Sequence, residues 1–249
     1  MSLTKYINDS ISNDSISNDS IVTERLKITS NTKSFSITPS TKDELRSLIE
    51  QEIKQQGSSV DLNFIDTSLI TDMAELFYGL GNAIRSIKID EWDVSNVTNM
   101  YATFYGCKKF NADLSKWDVS SVTNMSYTFW ECYKFKSDLS SWASQVSNVT
   151  TMSGMFYNCR MFNADLSKWD VSSVETMPYM FRMCKNFNSD LSGWNVSNVT
   201  NMDSMFNKCI NFESDLSGWD VSKVKNYNAM FKECPSMTNN ANLQPKFNK

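Results

Sequence analysis

A phrase that returns about every 25 residues constrains this chain of 249 residues more than any other feature. It reads DLSKWDVSSVTNM from Asp113, DLSKWDVSSVETM from Asp165, DLSGWNVSNVTNM from Asp190 and DLSGWDVSKVKNY from Asp215. Six tryptophans, Trp92, Trp117, Trp142, Trp169, Trp194 and Trp219, keep spacings of 25, 25, 27, 25 and 25. Six cysteines, Cys107, Cys132, Cys159, Cys184, Cys209 and Cys234, keep the same spacings. The 27 comes from two extra residues in WASQVSNVTTM. A phenylalanine column, Phe77, Phe104, Phe129, Phe156, Phe181, Phe206 and Phe231, begins one unit earlier, where Ile65 replaces Trp and Leu80 replaces Cys. This gives seven units, the first degenerate and the last losing the pattern after Met237.

Self-similarity at such a period is the mark of a repeat architecture. One unit offers too few apolar side chains to offset the entropy of ordering its backbone, so it cannot stand alone. Stacking lets each unit bury both faces, which is the logic of a solenoid. Within VTTMSGMFYNC, Met152, Met155, Phe156 and Cys159 stand at i, i+3, i+4 and i+7, which predicts a short helix. The threonine before it (Thr98, Thr123, Thr150 or Thr200) is its predicted N-cap. Trp169 and Val171, two apart, predict a short strand, and the neighbouring Asp-Ser pairs predict side-chain-stabilised turns.

The expected organisation has four parts. Residues 1–39 contain the polar low-complexity run NDSISNDSISNDSI, expected to be disordered or loosely extended. Residues 40–57 predict a capping helix, with Ser40 or Thr41 as N-cap, Gly57 past its end, and an apolar stripe of Leu45, Leu48, Ile49 and Ile53. Residues 58–238 form the solenoid, and residues 239–249 a C-terminal tail.

Several function classes are closed by composition. The chain has no histidine, so nucleophile pairs and zinc sites that need imidazole cannot be built. A formal net charge of −4 gives no general polyanion footprint, and nucleic acid is not an expected partner. No apolar run is long enough to span a bilayer. No signal peptide or lipid-anchor cysteine can be read in the sequence as given.

The pattern DLSxWDVSxVTNMxxMFxxCxxFN, with the entry segment TKDELRSLIEQEIKQQGSSVDLNFIDTSLITDM, resembles the BspA-like leucine-rich-repeat surface proteins. More closely it resembles their mycoplasma-type lipoprotein branch, whose function is unknown. The resemblance covers roughly residues 41–237. It implies a right-handed, leucine-rich-repeat-like α/β solenoid, with a short strand and a short helix in each unit. It also implies a cell-surface or secreted location and a role in adhesion or host interaction. It brings no catalytic residue.

The columns themselves are candidate sites. The six cysteines sit among Met and Phe on the predicted apolar face, which suits buried free thiols better than disulfides or metal ligands. Asp113, Asp138, Asp165, Asp190 and Asp215 could bridge calcium or act as paired acids, but bonding to local turn amides is the simpler reading. The tryptophans keep step with Leu and Val, which suits a core role more than exposed contact. Recognition is better sought where a column breaks. After each Phe come Tyr78, Tyr105, Trp130 and Tyr157, then Arg182, Asn207 and Lys232. Tyr105, Tyr127, Trp130 and Tyr157 are the expected binding patch. The expected function is a non-enzymatic surface or secreted protein that binds a partner protein over an extended face, with no cofactor and no metal. The alternatives are a carbohydrate-binding module using the aromatic column and, less favoured, a carboxylate-based carbohydrate-active hydrolase.

Overall fold

The computed structural model describes residues 27–28 and 35–247, so the low-complexity run and its expected disorder lie outside the described residues. Strands β1 (Lys27–Ile28) and β2 (Phe35–Ser36) pair antiparallel. Ile37 then bridges Ile65 in parallel. Helix α1 spans Lys42–Gln56. Thr41 is its N-cap, with its hydroxyl oxygen accepting the amide of Glu44. The Glu44 carboxylate reaches back to the Ser40 amide at 2.7 Å, closing a reciprocal cap. At the other end Gly57 takes φ 80° and donates its amide to Ile53. Leu45 and Ile49 enter the core, while Lys42 pairs with Asp72 and Arg46 donates to the Leu76 carbonyl. The helix thereby covers the first unit.

Strands β3 (Ser59–Asp61) and β4 (Ser86–Lys88) pair in parallel, one unit apart. From there a single line of parallel bridges runs Asp72, Asn99, Asn124, Thr151, Thr176, Asn201, Asn226. Every step in that line links one copy of the repeat to the next.

The predicted helix in each unit is not formed. Among the described residues, the helices other than α1 are the five-residue α2 (Pro235–Asn239) and three short 3-10 turns, Ser140–Trp142, Gln145–Asn148 and Ala241–Leu243. The Met-to-Cys stretch is instead a ribbon of turns. In the second unit Met100, Ala102, Phe104 and Gly106 donate their amides to Asn124, Ser126, Thr128 and Trp130 of the next unit. The amides between them, of Thr103, Tyr105 and Cys107, close turns onto Met100, Ala102 and Phe104. Such alternation requires a left-handed residue at two places per unit. One column is Glu75, Ala102, Tyr127, Gly154, Tyr179, Ser204 and Ala229; the other is Gly79, Gly106, Glu131, Asn158, Met183, Lys208 and Glu233. A ribbon that repeats every four residues presents i, i+3, i+4 and i+7 on one face, just as a helix does.

Two further expectations change with it. The threonine hydroxyls are not N-caps: those of Thr98, Thr123, Thr150 and Thr200 donate to a carbonyl of the preceding unit, at 3.1–3.3 Å. The Trp–Val stretch is irregular rather than strand, because the Asx turns on either side of it redirect the chain every few residues. The two-residue insertion is absorbed locally by 3-10 turns, and Gln145 accepts the Val119 amide of the neighbouring unit.

The core is columnar. The Phe column stacks at 5.6–5.8 Å through Phe104, Phe129, Phe156, Phe181, Phe206 and Phe231. A second column, Phe110, Phe135, Phe162, Phe187 and Phe212, lies within 4.0–4.2 Å of the first in each unit. Most of the left-handed positions carry side chains, and each costs an L-residue roughly 1–2 kcal/mol. Glu75, exposed at φ 59°, is expected to tolerate Glu75→Gly with a gain of about 0.5–1 kcal/mol, the strain relief exceeding glycine's extra chain entropy. Gly106→Ala, where an added Cβ meets nothing, is expected to lose about 1–2 kcal/mol. Urea unfolding midpoints of the two variants would show the opposite signs.

Candidate functional site

The repeated columns are committed to holding the units together. Each indole N–H, from Trp92 to Trp219, donates across to a carbonyl of the preceding unit (Leu62, Ile89, Leu114, Leu139, Leu166 and Leu191) at 2.9–3.3 Å. All six tryptophans are buried. The six cysteines are buried and free. Five of their thiols lie 2.7–3.7 Å from the Phe carbonyl of the preceding unit, and Cys234 lies 3.6 Å from the Phe212 carbonyl. Burial pushes Cys107 up to about 12 and Cys234 to about 11, and drives the other four upward as well. Such thiols are poor nucleophiles.

The aspartates of the repeated phrase close Asx turns. Asp113, Asp138, Asp165, Asp190 and Asp215 each accept the amide two residues on, from Ser115, Ser140, Ser167, Ser192 and Ser217, at 2.9–3.0 Å. A second column, Asp93, Asp118, Asp170, Asn195 and Asp220, does the same at 3.0–3.2 Å. Among the described residues no group of three or more Cys, Asp and Glu side chains is arranged to hold a metal ion. A groove of about 690 Å³ gathers Asp61, Asp90, Glu91 and Asp113 near the N-terminal end. Lys88 pairs with Asp61 at 3.0 Å and Lys116 with Asp90 at 3.4 Å, so two of its four acids are already paired.

The broken column builds something different. From Trp130 onward the residue after the column Phe is clamped by its carbonyl, which accepts an amide from the preceding unit: Gly106 to Trp130 at 2.7 Å, Glu131 to Tyr157 at 2.8 Å, Asn158 to Arg182 at 2.7 Å. The side chains therefore stack in register. Tyr105 and Trp130 lie parallel at 5.8 Å, and Trp130 and Tyr157 at 3.6 Å. Tyr78 meets Tyr105 edge-on at 5.4 Å and is 53% exposed. Tyr127 meets Trp130 edge-on at 5.3 Å, and Tyr101 meets Tyr127 at 5.5 Å. The structure thus brings together all four residues named from sequence, Tyr105, Tyr127, Trp130 and Tyr157, all half-buried.

It also adds members that sequence reasoning did not place there. Tyr101 extends the side row; Arg182 closes the ladder, its guanidinium 5.9 Å from the Tyr157 ring and 5.8 Å from Tyr179. A hydrogen bond to Asp203 raises the Tyr179 phenol, and burial raises that of Tyr105. Tyr127 and Tyr179 stand two residues before the column Phe, at the left-handed position, and Tyr101 stands three before it.

Gly154 makes room for the ladder. A Cβ there would stand 2.8 Å from two Trp130 ring carbons and 2.9 Å from Tyr127. Aromatic pairs of this kind contribute about 0.5–1.5 kcal/mol beyond area burial.

A family model described as "Mycoplasma protein of unknown function, DUF285" matches residues 45–147 and again 143–244. No curated protein and no solved structure matches the chain.

Two outcomes are expected here. Gly154→Ala should cost about 2 kcal/mol more than Gly106→Ala, since both strain the backbone alike and only the first collides with packed rings; thermal or urea unfolding would measure the difference. The turn aspartates make stability fall with acid. Asp113, Asp165, Asp190 and Asp215 are held below the ordinary 3.8 first by the serine amide, and Asp118 and Asp220 first by the serine hydroxyl. Because the folded values are depressed, their contribution is complete above the ordinary value and is lost as pH falls through the folded ones. The melting temperature should decline below about pH 4, and more shallowly in Asp165→Asn/Asp190→Asn, where Asn keeps the turn as Asn195 does.

Proposed function

From the premise that this chain belongs to the family of mycoplasma proteins of unknown function, we propose that it is a non-enzymatic binding protein displayed on the cell surface or secreted, engaging a partner protein. In this reading it is a right-handed, leucine-rich-repeat-like solenoid related to the BspA-like surface proteins, with turn ribbons where those would carry helices. The line of parallel bridges, one per unit, supports that architecture.

The observation that carries the function is the preorganised aromatic ladder from Tyr78 to Arg182. Tyrosine, tryptophan and arginine are the residues that dominate protein–protein hot spots. Here they are locked by the ribbon and by each other, so little side-chain entropy is left to lose on binding. Stacking of a neutral sugar is less favoured, because a sugar needs a free ring face. The Trp130 indole lies between Tyr105 and Tyr157, which leaves mainly ring edges to a ligand. Hydrolase chemistry is also less favoured. A general acid needs a raised carboxyl, whereas Asp90 and Asp113 in the acidic groove are both shifted downward.

Fluorescently labelled full chain, applied to cultured epithelial cells, tests the reading. Binding should be lost when the cells are first treated with trypsin, and should fall about tenfold or more for Trp130→Ser or, at the exposed end, Tyr78→Ala, with melting temperature checked in each. Binding that survives trypsin, or is indifferent to both folded variants, would refute it.

A further inference from the structure

Beside the aromatic ladder the surface changes character. The loop after each cysteine carries Lys108 and Lys109, then Lys134, then Arg160, then Lys185, in four consecutive units. All five are exposed. Ion pairs elsewhere in the described residues join Lys42, Arg46, Lys88, Lys116 and Lys208 to acids, and none of the five takes part in one. The Lys108 carbonyl accepts the Lys134 amide at 3.2 Å, so adjacent loops are in register. Tyr133 sits at the centre: Arg160 lies over its ring at 4.3 Å and the Lys108 ammonium at 5.7 Å. Arg160 is fixed further by its Nε–H bond to Asn158, 3.0 Å, which leaves its terminal nitrogens free. In a chain of net charge −4, two of these cations, one from the unit before Tyr133 and one from the unit after, rest on its ring instead of being paired with acids. An anionic chain lying along the row would meet these unpaired charges in turn.

We infer that this strip is a binding site for a linear, sulfated polysaccharide lying along the stack axis. Its shape carries the choice. Four units at roughly strand spacing give a row about 15 Å long and one or two side chains wide. Acids stand on either side of it along the chain: Glu131, two residues before Tyr133, interacts with that phenol, and the exposed Asp113, Asp138, Asp165 and Asp190 follow a few residues on in sequence. A planar array of anionic lipid headgroups would meet those acids as well as the lysines. A single-stranded nucleic acid would need open aromatic faces to stack its bases. Both neighbouring cations lie over the Tyr133 ring, and Tyr105 and Trp130 face each other. A polymer with closely spaced sulfates needs only the cations. The site is separate from the ladder in the proposed function, and each can fail alone.

Heparin binding to the full chain, measured by titration calorimetry at several salt concentrations, tests the inference. Affinity is expected to fall roughly 100-fold between 0.05 and 0.2 M salt, as contact with about five cations implies. Lys108→Gln/Arg160→Gln/Lys185→Gln should weaken binding at least tenfold and lower the salt slope by two to three, about one per cation removed. Lys168→Gln/Lys223→Gln/Lys225→Gln, with the same charge change elsewhere, should leave both unchanged, and so should Trp130→Ser. Equal loss in the two triple variants would overturn the site, and so would binding of desulfated heparin, poly-L-glutamate, single-stranded RNA or phosphatidylserine vesicles as tightly as heparin. Intact heparin binding in Trp130→Ser alongside lost cell binding would separate this strip from the ladder.

Discussion

The alternation of amide directions in the Met-to-Cys ribbon is the constraint on which the molecule depends. One amide closes a turn within the unit, and the next reaches across to the following copy. Buried backbone groups must be paired, and this arrangement pairs them without helix or continuous strand. It requires two left-handed residues in each unit, most of them not glycine. The strain is tolerated because most such amides are locked by a bond to the next unit, so the cost is set against cooperative stacking. A unit removed from the stack would keep the strain and lose the bonds.

The other columns secure the same contact in parallel. Indole N–H groups and threonine hydroxyls reach a carbonyl of the preceding copy, and most of the cysteine thiols do likewise. Asx turns then bend the remaining segments so that their apolar side chains return to the core. The indoles and thiols that do these things have their polar atoms engaged by neighbours and their apolar surface buried. Function is thereby displaced to positions whose identity the stack does not dictate.

The repeat length, the number of units and the apolar columns were legible in the sequence because burial leaves a periodic trace. So were the ends of α1, since Thr41 and Gly57 are ordinary cap residues. The ribbon was not legible. Met152, Met155, Phe156 and Cys159 have helical spacing, and the left-handed positions are filled by residues such as Glu75, Met183 and Lys208 that give no turn signal. The threonines were misplaced for the same reason, as a hydroxyl before an apolar run looks like a cap whichever carbonyl it meets. In the candidate site, the aromatic column could be seen as an exception to the repeat. Its sandwich geometry could not, because it depends on the clamp between units and on the space above Gly154.

That geometry separates two kinds of surface that composition would merge. Along the position after Phe, aromatic rings fill the first four units, and Arg182, Asn207 and Lys232 follow. Three residues further on, Lys108, Tyr133, Arg160 and Lys185 form a second row in which one ring carries cations. Between the two rows stand the left-handed residues Gly106, Glu131, Asn158 and Met183. The strained residues that make the stack possible therefore lie between an aromatic row and a cationic row.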